Sequence, residues 1–395
     1  MRITSLETVR LAGYDNILWL RLHTDDGLVG LGETFRGADA VEAELHGPVA
    51  KLLLGADATR IEGINMVLTR PYVGHRGSGA EIRAASAVDI ALYDLLGQKL
   101  GVPVHDLLGG RTRARVRTYN TCAGYSYNRN AAARRAIGAE DEAAGPYDDQ
   151  VGFERDAGTL AQSLLSMGIT AMKIWPFDRY AAAGDGQFIH AADIDAGLEP
   201  FRKIRSTVGD AMEVMLEMHA LWDSPAALAI ARAVAPFRPA WIEDPIRNAD
   251  PQALADLRRA SGLPVCASET LAGMNTFLDL LRAQAVDYAM LDIGWCGGIS
   301  QARRIAALAE AHQRPVAPHD CTGPVVYAAG AHLAVALPNA AFMESVRAYW
   351  SGWYTELVTA LPDVAGGTLA PPPGSGLGLA LKPAVLAAAR VRTTR

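Results

Sequence analysis

No stretch of this sequence stays apolar for the roughly 18 residues a membrane helix needs, and no run of lysine and arginine marks a nucleic-acid or anionic-membrane footprint. The net charge is -6, from 37 basic and 43 acidic side chains. Neither nucleic acid nor membrane is expected as partner, which leaves a small molecule. Cysteine is scarce: Cys122, Cys266, Cys296 and Cys321 form no CxxC pair and no zinc-like spacing. That excludes a disulfide scaffold and a thiolate metal centre, and fits reduced thiols in a cytoplasmic enzyme. The opening MRITSLETVRL turns amphipathic at once and offers no apolar h-region, so no signal peptide is predicted. What remains is ordinary for a globular chain, with 50% apolar and 20% charged residues. A length of 395 residues suits a barrel of typical size plus a smaller domain.

The pattern changes once along the chain. Residues 2 to 11 and 17 to 24 alternate in a strand-like way, and a DDG turn at 25 to 27 leads into LVGLGE, a β meander. Helical periodicity follows at 40 to 54, at 58 to 69 and from Ala80 to Gly101. From about Val116 eight short apolar runs each end in a polar residue and lead into a helix: 116 to 120, 170 to 175, 212 to 217, 240 to 244, 265 to 269, 288 to 292, 316 to 319 and 341 to 344. Eight strand-then-helix units mean parallel strands, and eight is the number that closes a barrel. The expected organisation is an α+β capping domain over residues 1 to 115, a (β/α)₈ barrel over 116 to 362, and a tail over 363 to 395 that runs back to the cap. Two polar stretches, 123 to 152 and 176 to 193, interrupt the period after the first and second barrel strands and are lid candidates.

The polar strand ends carry the chemistry. Glu217, Glu243 and Glu269 are each 26 residues apart, one βα unit, and end three successive strands. In a closed barrel their carboxylates converge on one ion, and all-oxygen ligation selects a hard divalent cation such as Mg²⁺, one per active site. His319 ends the seventh strand beside Asp292 at the end of the sixth, so a carboxylate can fix the imidazole tautomer and make a general base. Lys173, ending strand two, can face the metal site and either take a proton or stabilise an enolate. Glu344, ending strand eight, is a hydrogen-bond donor to an enolic oxygen if protonated.

Together Lys173, Glu217, Glu243 in IEDP, Glu269 in ASET, Asp292 followed by GGIS, His319 and Glu344 resemble the mandelate racemase subgroup of the enolase superfamily. The resemblance extends to TDDGLVGLGE and SAVDIALYDLLGQKLGVPVHDLLGG, which are similar to that family's capping domain. It implies removal of the proton next to a carboxylate held bidentate on Mg²⁺, giving an enediolate, and a homo-oligomer such as a dimer or octamer.

Two positions depart from the racemase pattern. Many members of the family have Lys-x-Lys on strand two, whereas this chain has Lys173-Ile174-Trp175, and tryptophan cannot act as a second base. The third strand reads Glu217-Met218-His219, similar to the Asp-x-His of the family's sugar-acid dehydratases, where the histidine protonates the departing hydroxyl. His219 is therefore a general-acid candidate, with a substrate hydrogen-bond donor as the alternative. Phe35, Arg36, Tyr72, His75 and Arg76, in loops of the cap, are candidates for substrate contact, as is Trp175. The expected reaction is dehydration of an aldonic or aldaric acid to a 2-keto-3-deoxy acid. An isomerase acting on a related acid is the alternative, and a barrel that binds without catalysis fits the ionisable constellation poorly.

Overall fold

The computed structural model describes residues 1–70, 77–127, 129, 145 and 147–395. Alternating apolar residues build β1 (Ile3–Arg10), β2 (Ile17–Thr24) and β3 (Val29–Phe35) into an antiparallel meander with β2 at its centre. Leu6, Leu18, Leu20 and Leu22 are fully buried on it. The expected turn is there, with Gly27 at φ 83°, a left-handed conformation that side chains avoid. The helix Ala80–Leu100 crosses this sheet closely enough that a Cβ on Gly32 would lie 1.9 Å from the Ala87 carbonyl oxygen. Alternate glycines in Val29–Phe35 thus make room for a helix, and a larger residue would push the two layers apart. The helix expected over 40 to 54 is broken into Ala38–Glu44, a wider π turn at Leu45–Val49 and Ala50–Leu53. Pro48 inside it has no N–H for the helical ladder.

The eight apolar runs are eight strands: β4 (Val116–Thr121), β5 (Ala171–Ile174), β6 (Glu213–Glu217), β7 (Ile242–Glu243), β8 (Val265–Ala267), β9 (Tyr288–Leu291), β10 (Val316–Pro318) and β11 (Met343–Ser345). Each from β4 to β9 pairs in parallel with the next. β11 pairs in parallel with β4, and a parallel bridge from Val316 to Ala340 joins the β10 side, so the ring closes. The fold is a (β/α)₈ barrel with an N-terminal cap. Inward side chains Tyr119, Met215, Trp241, Met290 and Phe342 fill its interior below the rim, the Tyr119 and Trp241 rings meeting edge to face at 5.4 Å. All four cysteines are buried free thiols. Among the described residues no helix is long and apolar enough to cross a membrane.

The tail does more than return to the cap. Its hairpin β12 (Asp363–Ala365) and β13 (Thr368–Ala370) pairs first with β4 of the barrel, and only β14 (Arg390–Thr394) joins β1.

Buried carboxylates of the cap lock it to the barrel. Glu33 accepts hydrogen bonds from Trp19 Nε1 at 2.7 Å and from the backbone N–H groups of Val325 at 3.1 Å and Val326 at 2.8 Å, in the first turn of the helix Pro324–Ala336. Asp89 accepts from the N–H of Ser300 at 2.9 Å, at the start of Gly298–Ala311. Asp94 accepts from the N–H of Leu31 at 2.9 Å and Leu377 at 2.8 Å. A helix N-terminus leaves N–H groups without intrahelical partners, and Glu33 and Asp89 accept hydrogen bonds from them. Burial still pushes Glu33 up to about 8, Asp89 to about 7 and Asp94 to about 6.

Candidate active site

Parallel pairing puts the strand-end side chains at one rim. Glu217 and Glu243 are register partners across β6 and β7, so their carboxylates stand side by side. Glu269 lies just past β8, in the turn that follows Ala267. One oxygen from each of the three lies within 4.8 Å of the others. Glu217 is further oriented by the N–H groups of Met218 at 2.9 Å and His219 at 2.6 Å, and Glu243 by Trp241 Nε1 at 2.9 Å. Burial and the neighbouring Glu217 push the Glu243 carboxyl well above its usual range, so the cluster favours added positive charge. Oxygen donors alone, convergent and anionic, fit a hard divalent cation. Asp244 stands behind them, bonded by Ser268 Oγ at 2.8 Å. Its burial, with Glu269 and Glu243 beside it, pushes it up to about 7.

His319 follows β10 and is 5% exposed, with Nδ1 2.7 Å from Asp292 Oδ2 and Nε2 3.1 Å from Glu269 Oε2. Asp292 is itself fixed by the N–H of Gly294 at 2.7 Å. Burial works against the imidazolium, but Glu269, Glu344 and Asp292 outweigh it and raise His319. The pairing leaves Nε2 directed at the triad, the geometry of an oriented base.

Lys173, on β5, turns inward and reaches all of its neighbours: Glu344 at 3.0 Å, Glu217 at 3.4 Å, and Glu243 in a short ion pair. Burial opposes its charge, yet Glu243 and Glu344 hold the ammonium above its ordinary range. Glu344 lies in β11, facing Lys173. It accepts, from the Asp320 N–H at 3.1 Å and from Thr121 Oγ1, and it is ion-paired with Lys173. Burial raises it, but Lys173 and His319 leave it lowered on balance.

His219 lies two residues past Glu217, 23% exposed, with Nδ1 2.5 Å from Asp178 Oδ2 and Nε2 3.3 Å from the Tyr127 hydroxyl. Burial again opposes the charge, while Glu217 and Asp178 push it up to about 10. Trp175 meets the His219 ring edge to face at 5.5 Å. A small cavity above the carboxylates is lined by Phe35, Arg36, Thr121, Tyr127, Trp175, Trp295 and Cys321, together with Lys173, Glu217, His219, Glu269, His319 and Glu344. The cap therefore reaches the site through Phe35, the last residue of β3, and Arg36, the next one, at φ 62°. Trp295 Nε1 donates to the Phe35 carbonyl at 3.0 Å, and Arg83 lies over the Trp295 ring at 5.3 Å. Tyr72, His75 and Arg76 lie outside the described residues.

Asp178, Tyr127 and Trp295 were not singled out in the sequence. Asp178 and Tyr127 fall in the two lid candidates, which was the one signal available for them. Trp295 follows Asp292 by three residues, and its contact with His319 at a ring distance of 5.8 Å appears only in space.

Comparison with known proteins agrees with this geometry. The family described as "Mandelate racemase / muconate lactonizing enzyme, N-terminal domain" matches residues 3–109, and "Enolase C-terminal domain-like" matches residues 156–385. The chain is 30% identical over 396 residues to a D-galactonate dehydratase of Ralstonia nicotianae, covering 98% of this chain and 94% of that protein. It is 44% identical to a solved enolase of the mandelate racemase subgroup from Agrobacterium tumefaciens, with a TM-score of 0.88 over 100% of this chain and 99% of that one. A solved enolase from environmental sequencing of the Sargasso Sea is 47% identical, with a TM-score of 0.88 over 100% and 98% of the two chains. With both halves matched and the strand-end constellation in place, this chain belongs to the enolase superfamily, in its mandelate racemase subgroup.

Proposed function

We propose that this enzyme is a hydro-lyase that dehydrates an aldonic or aldaric acid to a 2-keto-3-deoxy acid. One observation carries the reading: two histidines, each paired with a carboxylate, follow β10 and β6, four strands apart on an eight-stranded rim, with Glu217, Glu243 and Glu269 between them. A base for the α-proton and an acid for the departing β-hydroxyl are what elimination of water needs. In this reading His319 Nε2 removes the proton from the carbon next to the substrate carboxylate, and the electron pair passes into an enediolate. Its collapse breaks the C–O bond at the adjacent carbon, and the hydroxyl leaves as water with a proton from His219. The enol that remains takes the keto form. Glu217, Glu243 and Glu269 would hold a divalent cation such as Mg²⁺, which when bound would supply positive charge to offset the charge that builds on the carboxylate oxygens.

Trp175 and Lys173 support elimination over racemisation. Trp175 occupies the position of a second base, and Lys173 is engaged by three carboxylates. The Ralstonia relative is a D-galactonate dehydratase by name, which supports the same class of substrate. The test is a library of sugar acids incubated with the enzyme and Mg²⁺, with 2-keto product trapped by semicarbazide. Loss of one water from a member of the library is the expected result. Mass-neutral conversion would replace this reading with an isomerase.

A further inference from the structure

We infer that Asp178, on the segment after the second barrel strand, is a positioning residue for His219: its carboxylate holds Nδ1 so that Nε2 is the nitrogen presented to the substrate. The inference rests on the proposed role of His219 as the acid of an elimination.

Asp178 has little other use in the structure. Its side chain is 1% exposed and Oδ2 is 2.5 Å from His219 Nδ1. Among the described residues Oδ1 has no hydrogen-bond partner. Burying a carboxylate is costly unless a partner offsets the lost hydration, and here the imidazole is that partner. The other nitrogen, Nε2, lies 3.3 Å from the Tyr127 hydroxyl, beside the cavity that both residues line. The ring is therefore held at one end by a buried acid and open to the site at the other.

The backbone is bent to make this arrangement. His219 and Ala220 both have left-handed conformations, φ 47° and 54°, which residues with a Cβ rarely adopt. The His219 N–H is held by Glu217 at 2.6 Å and the Ala220 N–H by the Asp244 carbonyl at 2.7 Å. Strain of this kind persists where surrounding structure over-determines it, and here it is maintained beside the triad.

The segment bearing Asp178 is bolted to the loop bearing His219. The Gly186 carbonyl accepts from the Asp223 N–H at 2.9 Å. A Cβ on Gly186 would lie 1.9 Å from the Leu221 carbonyl oxygen. Phe177, next to Asp178, is fully buried against Gly197. The two loops form one block, and the distance from acid to histidine is a property of that block. Each of the two histidines thus has its own aspartate. Asp292 comes from the strand beside that of His319, whereas Asp178 comes from a long connection.

A residue acting only through His219 must affect the second half of the reaction and spare the first. The experiment follows substrate and product by proton NMR in D₂O with Mg²⁺ and the sugar acid identified by the library. It compares wild type with Asp178→Asn, Asp178→Glu and His219→Asn. Asp178→Asn is expected to slow product formation on the order of 100-fold, while deuterium still enters the α-carbon because His319 continues to remove its proton. The ratio of exchange to product should rise accordingly, and Asp178→Glu should recover part of the elimination. Continued exchange also shows that the variant is folded. Should Asp178→Asn fail to fold, Asp178→Ser carries the same comparison.

Unchanged product formation in a folded Asp178→Asn protein would overturn the inference, as would equal loss of exchange and elimination. The His219→Asn arm separates the two levels. If it still eliminates at the wild-type rate, the acid assignment itself fails. If it stops eliminating while Asp178→Asn does not, only the role of Asp178 fails.

Discussion

Lys173 Nζ lies 3.0 Å from Glu344 Oε1, so a cation from the second barrel strand is shared with a carboxylate from the eighth. The same ammonium reaches Glu217 at 3.4 Å and Glu243. One positive charge thus faces three buried carboxylates, and a divalent cation on the triad would add to it.

Lys173→Met should expose this balance. Removing one partner of a buried ion pair leaves uncompensated charge and costs about 3–5 kcal/mol. In chelator the variant is expected to unfold at lower denaturant by that amount, and Mg²⁺ should restore most of the difference. An equal loss with and without Mg²⁺ would show that Lys173 is not part of the metal-site charge balance.

Trp241 orients Glu243 through a 2.9 Å hydrogen bond from beneath the rim. Groups that hold metal ligands in place typically matter by about 10–100-fold in affinity. Trp241→Phe should weaken Mg²⁺ binding in that range by calorimetry, with the fold kept because the ring volume is largely retained. Unaltered affinity would separate Glu243 from the metal.

His319→Asn should abolish deuterium incorporation at the α-carbon and reduce turnover by about 10²–10⁴-fold or more. The Asn side chain can still hydrogen-bond to Asp292, so circular dichroism and melting should change little. Exchange that persists would remove His319 as the base.

A buried histidine pair makes stability acid-sensitive. His105 Nδ1 and His332 Nδ1 are 2.9 Å apart, and His332 Nε2 donates to the Leu377 carbonyl at 3.2 Å. Burial drives His332 down to about 3, with the Leu377 carbonyl opposing and His105 adding to the fall. His105 is lowered too, mainly by burial, with Asp106 opposing and Arg111 assisting. The unfolded chain then binds protons that the folded one refuses. Stability is complete above about pH 6.5 and falls as pH drops towards 3, by about 1.4 kcal/mol per unit for His332. Urea unfolding at several pH values should show this slope, and His332→Leu should flatten it while costing about 1–3 kcal/mol at pH 7 for the hydrogen bonds left unmade.

The parts of the site that were legible in the sequence are those where residue type and strand period coincide. Glu217, Glu243, Glu269, Asp292 and His319 end strands of a regular repeat, so spacing brings them to one rim. Asp178 and Tyr127 belong to connections without a period, and their link to His219 is made by a bent backbone at residues 219 and 220. Lys173 was legible as a residue able to face the metal site, whereas its ion pair with Glu344 is made between two strands that no spacing links. The helix expected over 40 to 54 took no account of Pro48, and the π turn around it depends on how the ladder is repaired locally.

The carboxylates of the cap seam limit how this protein can change. Glu33 and Asp89 satisfy backbone donors of barrel helices, and Asp94 ties β3 of the cap to the tail at Leu377. A cap transplanted from a distant relative would leave those N–H groups open and would carry its own buried acids into mismatched ground. Recombination at the domain boundary is therefore a poor source of new specificity here. Replacement of single segments is the workable one, because the residue after β3 and the connections after β4 and β5 bear on the cavity while the seam stays whole.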